Sequence, residues 1–278
     1  MSTVAELLRW AVAQLADSPE PDTDAQALLA HLLERDRGWL FAWGDKTLDD
    51  ATAERYRELV AQRAAGTPVA YLTGSRGFWS LDLAVDEHTL IPRPETEHLV
   101  EKVLQLGAAN QALRVLDMGT GSGAIALAIA SERPHWQVTA SDTSAGALAM
   151  AQRNAQSHAI RNVRFVHSDW FEHILGRFDL IASNPPYIAD GDPHLAKGDL
   201  RFEPRSALAA GSDGLDDIRR IVAQAAQHLY PGGWLLLEHG WQQGAECREL
   251  LIAQGFTRVA SERDLAGHER LSYGKIPT

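Results

Sequence analysis

The sequence predicts an α/β protein: a doubly wound, mostly parallel sheet, preceded by a small N-terminal helical domain and a β-hairpin linker. Three observations carry that reading. From Leu113 onward, short runs of strand character alternate with helical patterns, the arrangement that builds a parallel sheet covered on both faces. The first of those strands runs directly into a glycine-rich turn and then a helix, which is how a nucleotide-binding sheet opens. Residues 1–75, in contrast, show apolar spacing of helical period and no strand signal.

Taken in order, Val4, Leu7, Leu8, Ala11, Val12 and Leu15 fall at i, i+3, i+4, i+7, i+8 and i+11, one stripe of an amphipathic helix. Asp17, Ser18, Pro19 and Pro21 end it. Thr23 followed by Gln26 fits a capping box for a second helix through Ala27, Leu28, Leu29, Leu32 and Leu33. A short segment with Trp39, Leu40 and Trp43 leads to a helix from Asp49 to Ala65, closed by Gly66. Leu81, Leu83 and Val85 then alternate with Asp82 and Ala84 at the period of a strand. A hairpin and linker over 76–98 follows from this, because Pro92 and Pro94 forbid a continuing helix.

The third segment, 99–278, carries the repeated units. Its strands are LRVLD, QVTASD, VRFVHSD, FDLIASN and WLLLEHG, with helices over Ile125–Ser131, Ala147–Ser157, Ile218–Leu229 and Ala245–Gln254, and TRVASE and ERLSY close the chain as strands. The division is therefore 1–75, 76–98 and 99–278, consistent with a length of 278 residues at roughly 150 residues per domain.

Composition narrows the function classes. The 37 acidic against 26 basic side chains give a net charge of −11, which has no long-range attraction for nucleic-acid phosphates. A single cysteine, Cys247, excludes an intrachain disulfide and a multi-cysteine zinc site. No metal is expected: the histidines form no i, i+4 pair of zincin type, and Asp190, Asp192 and His194 lie in a Gly/Pro loop without further ligands. Charged residues interrupt every apolar run well short of a membrane span. A cytoplasmic protein with no membrane partner is the expectation.

Three rim positions carry chemistry. The turn Asp117-Met118-Gly119-Thr120-Gly121-Ser122-Gly123 lets backbone and ligand approach closely. Asp142 ends the next strand, where a carboxylate can accept hydrogen bonds from a ribose diol. These two signals fit NAD as well as S-adenosylmethionine; the GxGxG spacing and the acidic Asp117 favour the latter. Asn184-Pro185-Pro186-Tyr187 follows the strand FDLIAS, on the same carboxyl edge of the sheet. Its prolines hold a rigid loop without N–H donors. The Asn184 side-chain carbonyl and the Pro185 backbone carbonyl are two acceptors that can converge on one planar NH₂ group, and Tyr187 supplies a face on which it can stack.

On these residues the chain resembles the class I S-adenosylmethionine-dependent methyltransferases, and within them the HemK/PrmC family of release-factor glutamine N5-methyltransferases. The carriers are the linker from Leu90 to His98, the turn Asp117–Gly123, Asp142, the pair Asp169-Trp170, Asn184–Tyr187, the run from Glu203 to Leu208, and Arg263–Gly267. The resemblance implies a sheet of class I methyltransferase type and S-adenosylmethionine as cofactor. It implies a cofactor site of Asp117, Gly119, Thr120, Gly121, Ser122, Gly123, Asp142, Asp169, Trp170 and Asn184, with Trp170 on the adenine. It implies that Asn184, Pro185, Pro186 and Tyr187 bind the substrate, with Asn184, Pro185 and Tyr187 catalytic. The implied partner is a class 1 peptide chain release factor, methylated on the glutamine of its GGQ tripeptide; a monomer without a nucleic-acid partner is the expectation beside it. Residues 1–75 would recognise that substrate.

Two points stay open. The Asn-Pro-Pro-Tyr motif also suits adenine N6 in nucleic acid, and the glycine turn alone would suit a non-catalytic nucleotide- or NAD-sensing module. The linker Ile91–Glu97 is either a spacer or part of the substrate channel, and Arg205 is expected to pair with Glu203 or another acid at the surface.

Overall fold

Helices appear in the N-terminal unit where the apolar spacing demands them. A computed structural model describes residues 1–278 and divides the chain into two compact units, Met1–Ser75 and Arg76–Thr278. The first contains β1 (Ser2–Thr3), α1 (Val4–Gln14), α2 (Pro21–Leu33), α3 (Arg37–Ala42), β2 (Thr47–Leu48), α4 (Asp50–Ala64) and α5 (Val69–Thr73). Its core joins Val4, Leu7 and Ala11 of α1 to Leu28 and Leu29 of α2 and to Tyr56 and Val60 of α4. The buried Asp24 carboxylate ties these helices together, accepting from Arg63 Nε at 2.7 Å and from the Ser18 hydroxyl at 2.6 Å.

Two local details differ from the sequence reading. The capping box lies at the start of α1, where Thr3 accepts from Glu6 N at 3.2 Å and donates its own N–H to Glu6 Oε2 at 2.8 Å. It does not form at Thr23 and Gln26, because α2 is already helical from Pro21, whose missing donor suits a first helical position. A two-residue antiparallel ladder also pairs Ser2 with Leu48 and Thr3 with Thr47; strands that short leave no periodicity to read.

The larger unit takes in the hairpin and linker. β3 (Ser75–Phe78) and β4 (Leu81–Ala84) form a two-stranded sheet, and Leu81 and Leu83 enter the same core as α6 (Glu97–Leu106). The remaining elements are β5 (Arg114–Met118), α7 (Ala124–Glu132), β6 (Gln137–Asp142), α8 (Ala145–Ser157), β7 (Val163–His167), β8 (Phe178–Ser183), α9 (Asp216–Ala225), β9 (Leu229–Glu238), α10 (Gly244–Ala253), β10 (Thr257–Arg263) and β11 (Glu269–Lys275). Asn154 of α8 locks the hairpin in place: Ala84 N donates to its Oδ1 at 2.8 Å, and its Nδ2 donates to Ala84 O at 3.0 Å.

The seven strands lie in the order β10-β11-β9-β8-β5-β6-β7, and only β11 runs antiparallel to its neighbours. Successive residues of one strand feed opposite faces, as the pleat requires: Val115 and Leu180 enter one core, Leu116 and Ile181 the other. The direction of winding reverses between β5 and β8, so the loops leaving these strands flank the crevice where ligands bind in open sheets. The helix expected over Ile218–Leu229 ends sooner than its apolar pattern suggests, because Leu229 already begins β9.

Candidate active site

The turn after β5 forms one wall of a cavity of about 440 Å³, within the usual size range of a small-molecule site. Gly119 and Gly121 adopt left-handed backbone at φ +69° and +55°, which a side chain would strain. An added Cβ at Gly121 would meet nothing within 4 Å, and one at Gly119 would meet the Trp170 ring at 3.7 Å. The turn thus presents bare backbone to the cavity, which suits a tightly held adenosyl and methionyl group.

Asp142 lines the cavity beside the turn. Its Oδ2 accepts from Gly121 N at 2.9 Å and its Oδ1 from Ser144 N at 2.8 Å, and each oxygen keeps a second lone-pair direction for a hydroxyl. Burial pushes this carboxyl above the ordinary carboxylate range, and the backbone donors oppose the shift. Trp170 also lines the cavity, in left-handed backbone at φ +47°, and its Nε1 donates to Asp217 Oδ1 at 3.0 Å. That bond fixes the indole plane. Asp169 lies exposed at the rim and pairs with Arg220 at 2.7 Å.

Four of the expected cofactor residues stand behind the lining. Asp117, Thr120 and Ser122 are 0%, 5% and 2% exposed, and none of them, nor Gly123, borders the cavity. Asp117 points under the turn, where its Oδ2 accepts from the Thr120 hydroxyl at 2.6 Å and from Ala126 N at 3.1 Å. It braces the turn against α7, and Gly123 caps that helix. Desolvation pushes the Asp117 carboxyl up to about 7, with the donors from Thr120 and Ala126 only partly opposing it. Between pH 3.8 and about 7 the folded chain therefore holds a proton that the unfolded chain has released, and stability falls as pH rises through that window. Asp117→Asn removes the titration, so its Tm is expected to fall less over the same window than that of the unaltered chain. Equal slopes would show that Asp117 does not titrate there.

Asn184 and Pro186 border the cavity, and Pro185 and Tyr187 do not. Asn184 Nδ2 donates to Thr96 Oγ at 3.1 Å. Pro185 is buried. Tyr187 is partly buried against the core beside β9, with its phenol 3.5 Å from Glu238 Oε1 and its carbonyl accepting from Gln243 Nε2 at 3.1 Å. Burial raises its phenol pKa, and the neighbouring Glu238 adds to the shift.

The linker is part of the site. Ile91 N donates to Glu203 Oε2 at 2.9 Å, and Arg93 forms an ion pair with the same fully buried carboxylate. This clasp holds the following residues, of which Pro204, Ser206 and Ala207 border the cavity. Arg205 does not pair with Glu203, whose carboxylate is taken by Arg93; it meets the other expected kind of partner, an exposed acid, its Nη2 donating to Asp190 O at 3.0 Å and lying 4.0 Å from the Asp190 carboxylate. Thr96, Glu238 and Asp217 escaped the sequence reading. The one available hint was a glutamate closing the otherwise apolar run WLLLE.

Comparison with known proteins bears on both units. The family described as "PrmC N-terminal domain" matches residues 6–74, and "Methyltransferase small domain" matches residues 95–199. The chain is 57% identical over 255 residues to a protein named "Release factor glutamine methyltransferase" from Xylella fastidiosa strain Temecula1, covering 91% of this chain and 93% of that protein. It is 54% identical over 276 residues to a protein of the same name from Pseudomonas aeruginosa, covering 99% of each. Among solved structures, a methyltransferase from Pyrococcus furiosus superposes with a TM-score of 0.54 at 20% identity, over 81% of this chain and 100% of that one.

Proposed function

The chain belongs to the release factor glutamine methyltransferase family, and on that premise we propose which of its residues carry out the reaction. It is an S-adenosylmethionine-dependent methyltransferase acting on the side-chain amide of a glutamine in release factors. The observation that carries the residue assignment is Asn184, at the cavity wall with its NH₂ taken up by Thr96.

An amide nitrogen is a weak nucleophile because its lone pair is delocalised into the carbonyl. Asn184 Oδ1 and the Pro185 carbonyl accept its two N–H groups, orient the nitrogen and favour its pyramidal form. Tyr187 flanks the amide plane. Positioning of this kind supplies up to about 7–11 kcal/mol of barrier reduction, and the same acceptors stabilise the positive charge that develops on nitrogen. When bound, S-adenosylmethionine would supply the sulfonium methyl; as the amide nitrogen bonds to that carbon the carbon–sulfur bond would break, its electron pair staying on sulfur, and S-adenosylhomocysteine would leave. One amide proton then leaves to water. Gly119 and Gly121 would hold the cofactor by backbone contact, Asp142 through the ribose diol, and Trp170, whose indole Asp217 fixes, at the adenine; Asp169 and Arg220 pair at the rim. Asp117, Thr120, Ser122 and Gly123 act from behind by holding the turn.

The finer substrate assignment is the glutamine of the GGQ tripeptide in class 1 release factors. The enzyme works as a cytoplasmic monomer without a nucleic-acid partner. The net charge of −11 speaks against long-range attraction to nucleic-acid phosphates, and no helix is long and apolar enough to cross a membrane. Labelled S-adenosylmethionine, a purified class 1 release factor and total RNA test the reading together. Label is expected on the tripeptide glutamine; label in RNA would reinstate the adenine reading.

Residues 1–75 recognise the protein substrate, since they fold as a unit of their own and carry none of the cofactor motifs. A chain starting at Arg76 is expected to keep its cofactor affinity and to raise KM for an intact release factor by about tenfold or more, equivalent to at least 1.4 kcal/mol of lost binding. An unchanged KM would remove the first unit from substrate recognition.

A further inference from the structure

Gln243 closes the turn that follows β9. Its backbone N–H donates to the Gly240 carbonyl at 2.8 Å, and its side-chain Oε1 accepts from Gly240 N at 2.8 Å. The other end of the amide reaches away from the turn: Nε2 donates to the Tyr187 carbonyl and to the Asp213 carbonyl, each at 3.1 Å. One side chain thus ties together the loops that follow β8 and β9 and the loop that leads into α9. Chemistry fixes which way round the amide lies. A flipped amide would set Oε1 against two carbonyls and NH₂ against an N–H, and all three bonds would be lost.

The surroundings leave room for this amide and little else. Gly214 has left-handed backbone at φ +77°, and a Cβ there would lie 2.2 Å from the Tyr187 carbonyl oxygen and 2.9 Å from Gln243 Nε2. A Cβ at Gly240 would lie 2.9 Å from Gln243 Oε1 and 3.7 Å from Tyr187 Cδ2. The Asn184–Tyr187 loop needs such a tie, because Pro185 and Pro186 have no N–H to donate and the loop is fixed from its ends. At the near end Asn184 donates to Thr96 at 3.1 Å. At the far end Ile188 N donates to Leu208 O at 2.9 Å, and Gln243 holds the Tyr187 carbonyl. The direction of that carbonyl sets ψ of Tyr187, and with it the relation of the ring to the chain that follows.

We infer that Gln243 is a positioning residue for methyl transfer: by holding the Tyr187 carbonyl it sets the Tyr187 ring against the plane of the target amide. The inference rests on the reading of Tyr187 as the group that flanks that amide. Gln243 does not border the cavity, so its loss is felt by the substrate amide and not by the cofactor.

The test measures kcat, KM for a release factor, S-adenosylmethionine affinity by calorimetry and Tm for Gln243→Met and Gln243→Glu, each alone and with Tyr187→Ala. Methionine matches the side chain in length and removes its polar bonds. Glutamate keeps the acceptor for Gly240 N but turns a carboxylate oxygen toward the two carbonyls. Both variants are expected to lower kcat by about tenfold, the worth of one ordinary hydrogen bond. KM and cofactor affinity stay within about twofold, the usual margin for independent sites. In the Tyr187→Ala background neither change lowers kcat further, because the ring they place is gone; a merely structural role would subtract again. A normal kcat in either variant, a loss carried by KM or cofactor affinity, or additive losses with Tyr187→Ala would each overturn the inference. A normal rate in Tyr187→Ala itself would instead remove the reading of Tyr187 on which it rests. Should Gln243→Met fail to fold, Gln243→Glu and its double variant decide the matter; failure of both to fold would make the amide a support of the fold and overturn the inference.

Discussion

Asn184→Ala is expected to lower turnover by about 10²- to 10³-fold, the usual consequence of removing one preorganised hydrogen-bonding group from a reacting centre. Alanine leaves the rigid Pro185-Pro186 turn in place but only one acceptor for two N–H groups. Cofactor affinity should change little, because Gly119, Gly121, Asp142 and Trp170 still line the cavity. Asn184→Asp is the finer probe. It keeps an acceptor but loses the NH₂ that Thr96 receives, so the side chain is no longer held and a charge is added beside the cofactor. It should fall between the parent and alanine. Single-turnover rates with a release factor and calorimetry with the cofactor separate the outcomes. A normal rate in Asn184→Ala refutes the mechanism; loss of cofactor affinity in both variants moves Asn184 to the cofactor site or the fold.

Asp142→Ala is expected to weaken S-adenosylmethionine binding by about 10- to 100-fold, since hydrogen bonds to a charged group contribute roughly 1.5–3 kcal/mol. The loss has two sources. A diol loses its acceptor, and the backbone N–H groups of Gly121 and Ser144 lose theirs, which loosens the glycine turn. Asp142→Asn separates them, because an amide oxygen can still serve one of those donors and should recover part of the affinity. Calorimetry with S-adenosylmethionine and with adenosine reads the two contributions. Unchanged affinity in Asp142→Ala would remove the residue from the site.

How much of this was legible depends on range. The parallel sheet and its order of strands and helices could be read because each element carries its own period, and the glycine turn and Asn-Pro-Pro-Tyr could be read because their chemistry is contiguous. Asp142 was legible as the end of a strand. Placement of side chains around them was not. Asp117 reads as a ligand in sequence, yet the turn folds over it and buries it completely. Arg93, and not Arg205, meets Glu203 because the linker is folded onto the sheet rather than hanging free. Thr96 reaches Asn184 across 88 residues of sequence, and no local pattern records such a meeting. The same holds for the hairpin, whose alternation is legible but whose attachment through Asn154 is not.

The clasp on Glu203 also constrains the order of events when the chain folds. Ile91 and Arg93 reach it over 112 and 110 residues, and contacts of that range form only after the entropy of closing a long loop has been overcome. Strand pairing between β5 and β6 or β6 and β7 closes shorter loops and rewards them earlier. The wall carrying Pro204–Ala207 is therefore among the last parts of the larger unit to take shape. During synthesis, a chain that has not yet emerged past Glu203 can hold the glycine turn and Asp142 but not a closed cavity. Competence to bind the cofactor thus arrives late, after most of the sheet is already in place.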